Sequence, residues 1–252
     1  MNLIQPTVKP LIQGPGVDGL FKHIEQCARI CYRSEGGNVN PEKFVEKLIS
    51  RGHLRPIEFG TVALQPKPLF QRIKWRLRAT FSPWVIREDK MYITNLRYLY
   101  EHEENWRQLL NEMPDFDAWK YRPTFKWHIA RVIADEFRSH IMLSTCMEST
   151  RYVNYNKTGI DFVEPCWLKD KPVECRYAFE RSLARAEDDY NYLITAYNCA
   201  PQESRDVLPL NVATRMVQCA FRKHWLNFFR LRIDKAAHPD ARYIAEVACK
   251  LF

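Results

Sequence analysis

The densest chemistry in the chain lies in EFRSHIMLSTCMESTRYVNY, residues 136–155, where Glu148, Ser149, Thr150, Arg151 and Tyr152 follow an amphipathic run. A turn alone does not need so many polar groups. Arg151, with Arg205 in ESRDVLPL and Arg232 in RLRIDKAA, stands beside a turn or element end, where side chains can converge. A planar guanidinium makes two charge-assisted bonds to one phosphate or carboxylate. Ser149 and Thr150 add short hydroxyl donors and backbone amides, the makings of an anion-holding nest. Convergence of the three arginines on one anion and three separate surface ion pairs are equally compatible with the sequence.

His53, in GHLRPIEFG, and His140, in RSHIML, are the histidines nearest polar, loop-like surroundings, and neither has a HExxH or other metal-ligating spacing. The eight cysteines lack paired CxxC spacing, so no zinc site is expected and reduced thiols in a cytoplasmic protein are. Ser149 has no GxSxG context, and no cysteine lies in a nucleophile motif. A GxGxxG turn and a Walker loop are both missing, which excludes a dinucleotide held in a Rossmann crevice.

The elements that must position these residues belong to a chain of 252 residues, 46% hydrophobic and 13% aromatic with eight glycines, rich enough for a sizeable core. One domain over 1–252 is expected. A net charge of +8 favours a phosphate-bearing partner. The charge is dispersed and no nucleic-acid module is recognisable, so a nucleic-acid partner is disfavoured. KWRLR at 74–78 reads as a strand with one solvated face. The stretch MNLIQPTVKP lacks the basic-then-apolar plan of a signal peptide, and no apolar run approaches eighteen residues, so no membrane span is expected.

Residues 3–12 read as a short strand, and Leu20, Ile24, Cys27, Ala28 and Cys31 space a helix over Val17 to Arg33, which EGGN breaks. Pro41 starts a second helix that ends at Gly52. HLRPIEFG is a loop. Residues 61–81 read as one or two strands interrupted at Pro66 and Pro68, MYITNLRYLYEH as strand into helix, and FKWHIARVIADEF as strand turning helical near Ala134. A long helix runs from Val173 through Tyr177, Leu183, Tyr190 and Tyr197. Another covers Asn211 to Phe229, and a last one follows the turn at Pro239. The class is α/β.

ESTRYVNY, with His140 eight positions before Glu148, resembles the signature of flavin-dependent thymidylate synthases, in which Arg-His-Arg is followed after seven residues by a serine and then Arg-Tyr. Ser139-His140-Ile141 stands in the Arg-His-Arg place, and MLSTCME supplies the seven residues. GVDGLFKHIEQCARICYRSE, GHLRPIEFGTVAL and the stretch from RDVLPLN to HPDAR resemble three further blocks of that family, in order. The resemblance implies an α+β fold with a central, mostly antiparallel sheet and flanking helices. It also implies a homotetramer with sites at subunit interfaces, FAD as cofactor, methylenetetrahydrofolate and NADPH as co-substrates, and methylation of dUMP at carbon 5 to give dTMP.

Carried over residue by residue, Ser149, Thr150 and Arg151 match the turn that holds the dUMP phosphate, and Glu148 belongs to the same turn. Arg205 and Arg232 match substrate-contacting arginines, Arg232 beside the pyrimidine, where a fixed cation stabilises charge building on the ring. His53, Glu58, His140 and Asn227 match positions near the flavin, and Arg232, Ser149 and His53 are the catalytic candidates. Ser139 and Ile141 replace both arginines of the motif, while Arg138 stands one position early, turned by roughly 100° on a helix. Arg55, Phe59, Phe221 and Lys223 also depart from what a flavin pocket would carry. The resemblance as a whole implies a thymidylate synthase, and kept substrate positions beside altered cofactor positions open alternatives to it. The alternatives are a relative acting on UMP or dCMP, one that transfers a hydroxymethyl group, and a nucleotide-binding homologue without catalysis.

Overall fold

The computed structural model of the chain describes residues 2–32, 34 and 39–252. In chain order, strands β1 (Asn2–Ile4) and β2 (Thr7–Pro10) precede helix α1 (Gly16–Arg29), helix α2 (Pro41–Ser50) and strand β3 (Thr61–Leu64). Helix α3 (Leu69–Phe81), strands β4 (Ile86–Glu88) and β5 (Met91–Asn95), and short helices α4 (Leu96–His102), α5 (Trp106–Asn111) and α6 (Ala118–Tyr121) follow. Strand β6 (Thr124–Ala130) runs into helix α7 (Arg131–Arg138), then strand β7 (Ser144–Met147), helix α8 (Tyr155–Thr158) and strand β8 (Asp161–Val163). The last part comprises helices α9 (Val173–Tyr197) and α10 (Pro201–Ser204), strand β9 (Ala213–Cys219), and helices α11 (Arg222–Arg232) and α12 (Pro239–Leu251).

The fold is α+β. Its largest sheet has the order β2-β6-β9-β7, antiparallel throughout, with Trp127 opposite Met216 and Cys146 opposite Val217. A second antiparallel sheet, β3-β5-β4, and a parallel pair, β1-β8, complete the strands among the described residues. One face of the large sheet carries an aromatic core in which α7, α11 and α12 meet Phe125 and Trp127. Phe137 and Phe228 pack edge to face there at 4.8 Å, a geometry that adds a little to the burial of each ring. The other face carries a smaller cluster with Cys27, Ile30, Phe59, Cys146, Val217 and Cys219.

Several elements fall where periodicity puts them. Leu20, Ile24, Cys27 and Ala28 are buried on α1, which ends at Arg29 and continues as a 3-10 turn, Ile30–Tyr32. Arg33 and EGGN (35–38) lie outside the described residues. Helix α2 starts with its proline, and Gly52 takes a left-handed φ of 70° just past its end, a conformation glycine adopts without strain. The long helix is present as α9, although Tyr177 and Tyr197 face solvent.

Two segments differ from expectation. Residues 69–81 form a helix, because Leu69, Ile73, Leu77 and Phe81 recur every fourth residue and only Trp75 turns inward. Over five residues, the alternation of KWRLR suits a strand and a helix turn equally well. Asn211 to Phe229 is a strand followed by a helix: β9 is covered on both faces and buries Thr214 and Gln218 along with its apolar residues, so it lacks the polar-apolar alternation that marks a half-exposed strand. In addition, residues 3–12 split into two strands that pair in different sheets, and HLRPIEFG closes with a 3-10 turn at Pro56–Phe59.

Candidate functional site

Strand β7 delivers the ESTRY turn. Beyond Met147, the Glu148 amide donates to the Arg215 carbonyl at 2.8 Å, and the Ser149 amide to the Cys31 carbonyl at 3.0 Å. The amides of Tyr152 and Val153 both reach the Ser149 carbonyl at 3.2 Å, and the Arg151 amide reaches Ser149 Oγ at 3.3 Å. These amides hold the turn together, so the anion-holding capacity here rests on guanidinium groups rather than on a backbone nest. Glu148 is buried and accepts a hydrogen bond from the Tyr155 hydroxyl at 2.9 Å.

Arg205 reaches this turn from the 3-10 segment Arg205–Val207, its Nη1 donating to Thr150 Oγ1 at 3.1 Å. Arg131 Nη1 donates to the Glu148 carbonyl at 3.3 Å. Arg131, Arg138, Arg151 and Arg205 line a hollow of about 310 Å³ together with the ESTRY turn, and Glu148 is the one carboxylate in that lining. Such a volume is at the low end for ligand pockets. Four cations around one buried acid can hold an anion, and their field would draw one in.

Arg131 and Arg138 are the site residues that the motifs missed. They sit seven residues apart on α7, so both face one way, a spacing visible in the sequence once the helix is placed. Arg138 also pairs with Asp135 at 3.2 Å. Its displacement from the Arg-His-Arg register turns it into the arginine hollow.

Arg232 lies outside that lining. At the end of α11 it donates from Nε to His140 Nε2 at 2.9 Å, from Nη1 to Glu136 Oε2 at 3.0 Å, and from Nη2 to the Glu136 carbonyl at 2.8 Å and Ser139 Oγ at 3.1 Å. A cation on the last carbonyls of α7 is favourably placed in the field of that helix. Burial, and then the Arg232 guanidinium, lower the His140 pKa to about 4, so the ring is neutral and its Nε2 can accept. His140 and Asn227 share a second hollow of about 230 Å³, beside the 83% exposed Ile141.

His53 and Glu58 are elsewhere again. His53 follows Gly52 and lines a large cavity, about 890 Å³, between α1, α2 and β7. Glu58 is buried under β7, accepting from Ser144 Oγ at 2.7 Å and from Arg97 Nη1 at 2.8 Å, and it borders a third small hollow. Thr145 and Met147 line both the large cavity and the arginine hollow, which makes β7 their common wall. The structure therefore brings Glu148, Ser149, Thr150, Arg151 and Arg205 together, and it leaves Arg232 with His140 and Asn227, and His53 and Glu58 apart. The four positions matched to a flavin are spread over three hollows of one chain, and Ser139 and Ile141 offer no cation. Within one chain they do not form a flavin pocket.

The α+β fold thus surrounds its ESTRY turn with arginines, an arrangement able to hold an anion. Residues 121–252, more than half of the chain, match the family described as thymidylate synthase complementing protein. The chain belongs to that family. It is similar to a flavin-dependent thymidylate synthase of Pyrobaculum aerophilum, 34% identical over 116 residues that cover 46% of this chain and 43% of that protein. The match thus spans less than half the length of that curated relative. Among the described residues, no helix is long and apolar enough to cross a membrane, and no group of three or more His, Cys, Asp or Glu could hold a metal ion.

Proposed function

We propose that this chain is a thymidylate synthase-type enzyme whose arginine hollow takes the phosphate of a pyrimidine nucleoside monophosphate, dUMP in the first instance. The observation that carries the reading is the meeting of Arg205 and Arg131 with the ESTRY turn, in a hollow lined by four guanidinium groups and one carboxylate. The family match and the relative's name support it. A phosphate dianion there would replace water around four fixed cations, which orients the attached nucleoside along β7.

On this reading the protein is cytoplasmic, forms one domain and assembles as a homotetramer. FAD, methylenetetrahydrofolate and NADPH would then be held only where other copies of the chain close the hollows around His53, Glu58, His140 and Asn227. The scatter of those four positions, with Ser139 and Ile141 in the motif, favours one second reading, a homologue that binds the nucleotide and has lost the flavin. Calorimetry with dUMP and the visible spectrum of the gel-filtered protein after mixing with FAD test both. Saturable dUMP binding with retained flavin bands supports the enzyme, and turnover to dTMP completes it. Binding by a colourless protein supports the second reading. Absence of dUMP binding refutes both.

A further inference from the structure

Two thiols meet in the wall between the large cavity and the arginine hollow. Cys31 lies in the 3-10 turn that continues α1 and packs against the buried apolar cluster that contains Cys146 of β7. Both line the cavity of about 890 Å³. Their neighbours Cys27 and Cys219 are fully buried in the same apolar cluster, whereas Cys31 keeps some exposure.

The two sulfurs differ in character. The contact with Cys146 and the Met147 amide hold the Cys31 thiol below its ordinary range, while that contact and burial push Cys146 well above it. This is the asymmetry of an attacking and a resolving thiol, since the thiolate is the nucleophile. The cavity in front of them is rimmed by Lys43, Lys47 and Arg51, which follow one another at four-residue spacing along α2 and its end, and by Arg55. Among the described residues that line it there is no carboxylate. Such a mouth concentrates anions.

We propose that Cys31 and Cys146 form a reversible disulfide, made by an anionic low-molecular-weight disulfide of the glutathione class entering this cavity, and that its formation retunes the arginine hollow. Cys31 thiolate attacks one sulfur of the small disulfide, breaking its S–S bond and releasing one thiolate. Cys146 then loses its proton and attacks the Cys31 sulfur of the mixed disulfide, releasing the second. Two cysteines are oxidised, one small disulfide is reduced to two thiols, and excess small thiol reverses both steps. The coupling runs through the Ser149 amide, which donates to the Cys31 carbonyl at 3.0 Å. Drawing Cys31 towards β7 moves that carbonyl, and with it the turn carrying Thr150 and Arg151. The coupling rests on the anion-binding reading, and the disulfide does not.

The test treats the full chain with oxidised glutathione, then applies acid quenching, alkylation, trypsin and mass spectrometry. The expected product is peptide Ile30–Arg33 joined to peptide Ser139–Arg151, lost on reduction and absent from Cys31→Ser. Cys146→Ser should instead retain glutathione on Cys31. The neutral bis(2-hydroxyethyl) disulfide should react more slowly, and Lys43→Gln with Lys47→Gln should narrow the difference. The wild-type crosslink needs no variant, so a poorly folding substitution leaves the test intact. Separate alkylation of both thiols, or a crosslink to peptide His23–Arg29, which contains Cys27, overturns the site. Affinity for inorganic phosphate should fall about tenfold in the oxidised protein, equivalent to about 1.4 kcal/mol. An unchanged affinity with the crosslink present overturns the coupling. A crosslink in a protein that binds phosphate in neither state would refute the nucleotide reading and leave the disulfide standing.

Discussion

Replacing Arg205 by alanine is the sharpest probe of the arginine hollow. A guanidinium about 4 Å from a unit negative charge gains roughly 4 kcal/mol at an effective dielectric constant near 20. That figure must be reduced here, because the Arg205 side chain is 37% exposed and Asp206 lies 3.8 Å from its Nε. What remains is the value of a hydrogen bond to a charged group, about 1.5–3 kcal/mol. Calorimetry with dUMP should therefore show Kd raised roughly 10- to 150-fold, with circular dichroism unchanged. Arg205→Lys keeps the charge and loses the planar fork, so its loss should be smaller. Thr150→Val removes the acceptor that orients Arg205 Nη1, and its effect should fall between wild type and Arg205→Ala. Both arginine effects should weaken as salt screens the hollow. A folded Arg205→Ala protein with wild-type Kd would refute the placement of the phosphate.

Arg232→Ala should raise the His140 pKa from about 4 part of the way towards 6.5, since burial, the larger cause, remains; a proton NMR titration reads it. Burial, with Arg122 adding to it, also lowers the His23 pKa, to about 3. The unfolded chain binds protons at both histidines from about pH 6.5 downwards while the folded chain resists, so stability should fall as the pH drops from 6.5 towards 4 and below. An equal urea midpoint at pH 7 and 4.5 would count against this. Tyr155→Phe removes the hydroxyl that Glu148 Oε1 accepts from and should cost about 1–3 kcal/mol in chemical denaturation. Gly60→Ala would place a Cβ 2.6 Å from Ile24 Cδ1 and 3.2 Å from Leu20 Cγ, and this overpacking should cost about 1–3 kcal/mol.

Helices α1, α2, α9 and α12 were legible because each shows an inward stripe or a proline or glycine at its boundary, information contained within a few turns of chain. The polar ESTRY turn and the phosphate-seeking character of arginine were equally legible, since residue type and local spacing express them. Residues 69–81 and 211–229 were not, because short alternation and a doubly covered strand each fit two secondary structures until their neighbours are known.

Which arginines meet was beyond the sequence for a related reason. Arg205 and Thr150 are 55 residues apart and Arg232 and His140 92 apart, so each pairing depends on how the chain closes around the β6-β9-β7 register. That closure placed Arg131 and Arg138 in the hollow, held Arg232 on the end of α7, and brought Cys31 against Cys146. Local periodicity determines which face of an element is buried; only tertiary packing decides what that face, or the polar face opposite, is set against.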